Sequence, residues 1–390
     1  MKTFSEVKNN ATDESRFSVV YRITCDNKTK VEEIAKDITF EQTVEVPADC
    51  IPEHVLKSGI IGNVESITPS KIINKYDVAI SYRCAITDYA IPQLLNVIFG
   101  NISLKNNIKV IGLDFPGSYL DQFQGPKNGI DIVRQKTGAQ NRPLACTALK
   151  PMGLSVLELS AMAGAFAKGG VDLIKDDHGI SNQPFHPFKE RVSKCQEAVN
   201  RETARTGKNT IYCPMVSGRF DEIEEQVAFA ASAGVHGILI APMLVGCDTV
   251  RYISEKYDMV VIGHPSLTGT FFNDPDHGMA PSVLLGTIFR LLGVDINVFP
   301  NFGGRFSFTM QECIEIACAL KDPLGNIKSA FPCPAGGMSF DRIPNIAQDY
   351  GVDTVILIGG SLMQHGNDIA ESTKLFMNKI KEQFRQAVTD

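Results

Sequence analysis

Residues 169–179 read GGVDLIKDDHG. Two glycines open onto an alternating apolar run, which ends in Lys175, Asp176, Asp177 and His178. Such a run, set behind glycines and ahead of a polar cluster, has the pattern of a buried strand that delivers its last side chains to a loop. Taken alone, the cluster would be a solvated strand end. The rest of the chain gives it another meaning.

Outward from that stretch the same unit repeats. The apolar, β-rich runs are LACTALK (144–150), VDLIKDD (171–177), TIYCPMV (210–216), GILIAPML (237–244), MVVIGHP (259–265), INVFPN (296–301), SAFPCPAGG (329–337) and DTVILIGG (353–360). Helix-like stretches lie between them, among them SVLELSAMAGAFAKGG, PFKERVSKCQEAVNRETARTG, DEIEEQVAFAASAGV and PSVLLGTIFRLLG, several ending in the glycine that a helix C-terminus favours. A last helix is expected at about 366–387. Near-continuous apolar strands alternating with helices make a parallel sheet covered by helices. Eight units predict an α/β fold with a C-terminal (β/α)8 TIM barrel over 141–390. A doubly wound sheet would want Gly-x-Gly-x-x-Gly after its first strand, where this chain has KPMGLS.

Residues 1–140 predict a smaller N-terminal α+β, ferredoxin-like domain. Its expected strands are RFSVVYRI, FEQTVEVP, GNVESITP, KYDVAISYR and KVIGLDFP, with helices around 28–37 and 88–99. The Gly-, Pro-, Asn- and Gln-rich segment 117–143 is expected to be a connector.

Composition excludes several classes. Hydrophobic residues at 44% and charged residues at 21% are those of a globular chain, so disorder is not expected. A formal charge of −6, without a basic stripe, argues against nucleic acid or an anionic membrane as partner. The ten cysteines lie scattered through apolar runs with no Cys-x-x-Cys, as reduced core residues do. With no apolar leader in MKTFSEVKNNATDESRF and no membrane-length run, a cytoplasmic protein is expected.

A barrel of this kind carries its chemistry at the C-terminal ends of its strands. Those ends supply Lys150, the 175–178 cluster, His264, Asn301 with Gly303, Gly304 and Arg305, then Gly336–Gly337, and Gly359–Gly360 with Ser361. The two glycine pairs follow the seventh and eighth strands, where backbone N–H groups approach a phosphate closely because no Cβ intervenes. A small phosphorylated substrate is therefore expected. Strand alternation puts Lys175 and Asp177 on one side and Asp176 on the other. A lysine so placed must be neutralised, paired or modified, and carbamylation by CO2 would make it an anionic oxygen ligand. Lys175, Asp177 and His178 are the expected metal ligands. Carbamate and carboxylate oxygens suit Mg2+, whereas an imidazole is more usual on Zn2+, Mn2+ or Fe2+. Lys150, on the neighbouring strand, is the expected general base.

The blocks FQGPKNGIDIVRQKTGAQNRPLACTALKPMGLS and GGVDLIKDDHGISNQPFHPFKER resemble the large chain of ribulose-bisphosphate carboxylase (RuBisCO), and more closely the RuBisCO-like proteins, which share its fold without its carboxylase activity. The likeness runs from about residue 17 to the end and includes FGN at 99–101. It implies that Lys175 is the carbamylated lysine, Asp177 the metal-binding aspartate and Lys150 the base that removes a proton beside the substrate carbonyl. It also implies that His264 is an active-site histidine, that Gly336, Gly337, Gly359 and Gly360 bind phosphate, and that Glu41 and Asn101 are shared across a homodimer. Arg305 falls where the family has its mobile-loop lysine.

The departures narrow the function. His178 replaces the second carboxylate of the family's metal site. Met152 stands where the carboxylase has a lysine, Pro265 and Val298 where it grips its second phosphate, and Ala335 where it has a serine. A substrate with phosphate at one end is expected, and CO2 fixation on ribulose bisphosphate is not. The resemblance implies enolisation, followed in some relatives by loss or hydrolysis of a carboxyl group, as with 3-oxo-isoapionate 4-phosphate. In others an isomerase or enolase acts on a methylthio-sugar phosphate. EQTVEVP is closer to the first group, and Arg305 offers a carboxylate partner, so the first reaction is the expected one. A third alternative is a non-catalytic sugar-phosphate binding protein.

Overall fold

Along Arg16–Thr24 (β1) every second residue is buried and the residues between are half-buried, the signature of a strand with one face on a core. Asn63–Pro69 (β2), Lys75–Arg83 (β3) and Ile108–Asp114 (β4) join it in an antiparallel sheet ordered β4-β1-β3-β2, with the two-residue strand Gly278–Met279 (β10 in chain order) parallel beside β4. Arg22 and Asp77, opposite each other on β1 and β3, form a bidentate pair at 2.7 and 2.9 Å. The computed structural model describes residues 14–366 and 368–386. The chain folds into two compact units: the described residues up to Phe123 with Thr268–Thr287 and Leu324–Ile327, and Gln124–Leu267 with Ile288–Pro323 and the described residues from Lys328 on.

Two expectations for the first half of the chain are corrected. FEQTVEVP is not a strand: the helix Lys28–Glu41 runs into it and a turn follows. Val31, Ala35, Ile38 and Thr39 are buried at helical spacing, and Asn27 caps the N-terminus by accepting from the Thr29 N–H at 2.8 Å. The local β propensity of ITFEQTVEV yields to that period. The segment 117–143 is not a bare connector either. It holds the helices Gly117–Leu120 and Gly129–Thr137, the second ending at Gly138 with φ 73°. Val133 and Ala139 belong to the barrel's core cluster, with Ile130 packed against it.

All eight expected barrel strands form: Leu144–Leu149 (β5), Leu173–Asp176 (β6), Ile211–Cys213 (β7), Gly237–Ile240 (β8), Val260–Gly263 (β9), Ile296–Pro300 (β11), Phe331–Ala335 (β12) and Val355–Leu357 (β13). Parallel ladders give β13-β5-β6-β7 and β8-β9-β11-β12. A Met215–Leu239 bridge stitches β7 to β8, and β12 lies beside β13, so the ring closes. Inward residues fill it: Leu144, Cys146, Leu173, Ile211, Cys213, Leu239, Val260, Ile262, Ile296, Val298, Phe331, Cys333, Val355 and Leu357 form one cluster. The intervening segments are helical as expected. Val156–Gly169 is entered through a Ser155–Glu158 capping box and left through Gly170 at φ 86°, and Ser282–Ile288 is wound as a π-helix. The last helix spans Ile369–Gln386; residues 367 and 387 of its expected range lie outside the described residues.

Candidate active site

Strand phase decides which polar groups reach the barrel mouth. On β6, Leu173 is in the core cluster, so Lys175 and Asp177 continue the inward face while Asp176 points to the helices. Asp176 and its partner Arg191, from the helix Phe188–Thr206, are both completely buried. The Asp176 carboxylate accepts from Arg191 Nε at 3.1 Å, the Tyr212 hydroxyl at 2.9 Å and the Met215 N–H at 3.0 Å. This outward clamp holds the end of β6 in place.

Lys175 is 3% exposed, and its Nζ donates to the Asp176 carbonyl at 3.1 Å. Burial pushes its pKa below the usual lysine value; the charge on Lys150 adds to this, against the opposing fields of Cys146, Asp177 and Cys333. The two lysines therefore feel each other at the mouth. Asp177 is half-buried, and His178, followed by the cationic field of Lys175 and Lys150, holds its carboxyl down at about 2. His178 Nδ1 stands 3.6 Å from Asp177 Oδ1, and its ring lies flat on that of His264, with centroids 4.4 Å apart and 12° between planes. His264 follows β9, its Nδ1 2.8 Å from Ser266 Oγ, and burial, then Lys175 and His178, push its pKa down to about 2. The His264 imidazole is therefore neutral near pH 7.

The glycine turns occupy the adjoining rim. Gly336 and Gly337 take φ of 87° and 77°, the left-handed region that glycine tolerates without strain. A Cβ at Gly304 would come within 2.2 Å of the Gly336 carbonyl, so the loop after β11 fits closely on this turn. Arg305 is exposed, its guanidinium 5.6 Å from the Phe306 ring centre. A Cβ at Gly359 would lie 2.7 Å from Lys150 Nζ, which places the lysine amine over the last turn of the ring. Gly360 has open space where a side chain would be. Ser361 Oγ donates to the Met338 carbonyl at 2.6 Å and thereby ties the two glycine turns together. In the N-terminal unit Asn101 Nδ2 donates to Glu41 Oε1 at 3.0 Å, so those two expected residues are brought together there.

Among the described residues no three His, Cys, Asp or Glu side chains converge to hold a metal ion. Asp177 and His178 offer a carboxylate and an imidazole beside a buried lysine whose lowered pKa favours the neutral amine, the form that attacks CO2. A carbamate at Lys175 could supply the third donor, and with it the set fits a divalent cation.

Sequence reasoning missed the Arg191–Tyr212 clamp on Asp176, because an arginine in a charged helix reads as solvated. His186 is fully buried, edge-on to Phe185 with ring centroids 4.5 Å apart. His54, His236 and His365 are exposed. Cys146 and Cys333 are core packing, as expected. No described helix is long and apolar enough to cross a membrane.

The family profile described as ribulose bisphosphate carboxylase large chain, catalytic domain, matches residues 129–301. A 5-methylthioribulose-1-phosphate isomerase from Rhodospirillum rubrum is 36% identical over 94% of this chain and 96% of its own. A 2,3-diketo-5-methylthiopentyl-1-phosphate enolase from Geobacillus kaustophilus is 30% identical over 87% and 85%. The crystal structure of a Rubisco-like protein from Rhodopseudomonas palustris superposes with a TM-score of 0.86 at 36% identity, covering 95% of this chain and 98% of that one.

Proposed function

The chain belongs to the RuBisCO-like proteins, and on that premise we propose that it enolises a keto sugar carrying one phosphate, as an isomerase or enolase. The observation that carries this reading is the Lys150 amine, set over Gly359 with its charge felt by Lys175 and Asp177. Phosphate binds at the Gly336–Gly337 and Gly359–Gly360 turns. Lys150 Nζ takes the proton from the carbon beside the carbonyl, and the C–H electron pair moves into the enediolate. Return of the proton to the former carbonyl carbon, with the hydroxyl proton passing from the adjacent oxygen to the former carbonyl oxygen, completes an isomerisation. A divalent cation held by Asp177, His178 and a Lys175 carbamate would polarise the carbonyl and acidify that C–H. Mg2+ suits the oxygen donors.

The methylthio-sugar phosphate relatives move the weight from the keto-acid reaction expected from EQTVEVP to this one. Decarboxylation of a keto sugar-acid stays as a second reading because Arg305, exposed beside Gly337, offers a cation to a carboxylate. Purified protein given bicarbonate and Mg2+ with each substrate class separates the two. Isomerised sugar phosphate without CO2 release supports the first reading, and CO2 release from the keto-acid alone replaces it. Binding without turnover of either would leave a non-catalytic binding protein. We further propose a homodimer that shares Glu41 and Asn101 between copies, to be tested by sedimentation and by mixing Glu41→Ala with Lys150→Met subunits to restore activity.

A further inference from the structure

We infer that Arg342 is a positioning residue: it holds the loop after β11, residues 302–308, on the Gly336–Gly337 turn and so fixes the backbone that receives the substrate's phosphate. The inference rests on the reading of that turn as an anion site and adds to it a side chain that acts through the neighbouring loop. Arg342 lies beyond Gly337 on the same connection, at the end of the 3₁₀ turn Phe340–Arg342 that leads into the helix Ile343–Tyr350. Its guanidinium reaches across to the loop after β11 and is spent on main-chain carbonyls. Nη2 donates to the Phe302 carbonyl at 2.9 Å and Nη1, more weakly, to the Gly303 carbonyl at 3.4 Å, with the Phe302 ring centre 5.8 Å away. Gly303 makes this approach possible. It takes φ 63°, and a Cβ there would stand 2.8 Å from Arg342 Nη2.

Under that grip the loop meets the turn backbone to backbone. A Cβ at Gly304 would come within 2.2 Å of the Gly336 carbonyl oxygen, and one at Gly337 would stand 3.5 Å from Gly304 Cα and 3.7 Å from the Arg305 nitrogen. Glycine against glycine offers no side chains to interlock, so groups at the margins must set how the two loops lie together. One margin is the end of β11. There Asn301, buried with Tyr350, donates its N–H to the Ala335 carbonyl at 2.8 Å and accepts from the Tyr350 hydroxyl at 2.5 Å. The other margin is Arg342. The helix Ile343–Tyr350 thus carries one fastening at its start and the other at its last residue. An anion held by main-chain N–H groups depends on the direction of that backbone. Arginine suits the task because its planar fork serves two successive carbonyls, where lysine offers a single point charge.

The test uses the full chain as wild type, Arg342→Ala and Arg342→Lys. Hydrogen exchange across 302–308 is measured, and inorganic phosphate is titrated while the Gly336 and Gly337 amides are followed by NMR. Arg342→Ala is expected to exchange roughly tenfold faster in the loop and to bind phosphate roughly tenfold more weakly, with Arg342→Lys between it and wild type in both. Unchanged loop exchange in Arg342→Ala overturns the role, and so does faster exchange with phosphate affinity at the wild-type level. Weaker phosphate binding without faster exchange overturns it too, because Arg342 would then meet the anion itself. If phosphate leaves the wild-type Gly336 and Gly337 amides unmoved, the anion reading of the turn fails and this inference with it, while loop exchange still reports separately whether Arg342 holds the loop.

Discussion

The amine of Lys150 rests on the backbone of Gly359, so closely that a single methyl group at that glycine would stand 2.7 Å from it. Gly359→Ala is therefore expected to push the base out of line without touching the barrel core. Turnover should fall by roughly a hundredfold, as for a displacement of about 1 Å. Steady-state kinetics alongside a melting curve checks this; an alanine variant with wild-type kcat would mean that the amine acts from another position.

Lys150→Met keeps the length of the side chain and removes the proton acceptor. Exchange of the substrate's α-hydrogen with solvent deuterium, followed by NMR, is expected to slow by roughly 10²- to 10⁴-fold while phosphate-dependent binding survives. Exchange at the wild-type rate would assign the base to another group.

Arg191→Ala leaves the buried Asp176 carboxylate without its cation. A loss of about 3–5 kcal/mol in urea unfolding is expected. Because Asp176 also fixes the peptide ahead of Asp177, Mn2+ affinity in the presence of bicarbonate should weaken as well. A variant of unchanged stability would show that Tyr212 and Met215 suffice.

Asp295, completely buried, accepts N–H bonds from Asn128, Gly129 and Val261 and from the Asn128 amide, at 2.7–3.2 Å. Burial pushes its carboxyl up to about 6, against the pull of these donors. A folded pKa above the unfolded value of about 3.9 gives stabilisation that is complete below that value and is lost as pH rises through about 6. Between about pH 4 and 7 the wild type should lose roughly 2–3 kcal/mol more than Asp295→Asn does. Parallel stability–pH curves would exclude a raised pKa.

How much of this was legible depended on whether local pattern and tertiary demand agreed. The eight strands were readable because a parallel sheet covered on both faces needs near-continuous apolar runs, and GILI and VVIG supply them. The opposed directions of Asp176 and Asp177 followed from a period of two. The helix through Phe40 and Glu41 was obscured by β-branched residues whose burial is set by partners distant in sequence, and Gly129–Thr137 by its glycine- and asparagine-rich approach. Arg191, fifteen positions from Asp176, gave no local sign of where it would be buried. The glycine turns could be placed on the ring, but their contact with Lys150 and with Gly304 could not.

Two adjacent aspartates on one strand have opposite fates: one anchors the barrel wall to its outer helix, the other faces the open end. The reactivity of this rim is therefore a matter of parity. Deleting one residue between Val171 and Ile174 would keep every letter of KDDH, yet turn Lys175 and Asp177 toward the helices and leave Asp176 alone facing the lumen. A relative with that signature intact but its spacing odd would be inert for a reason no motif comparison would notice.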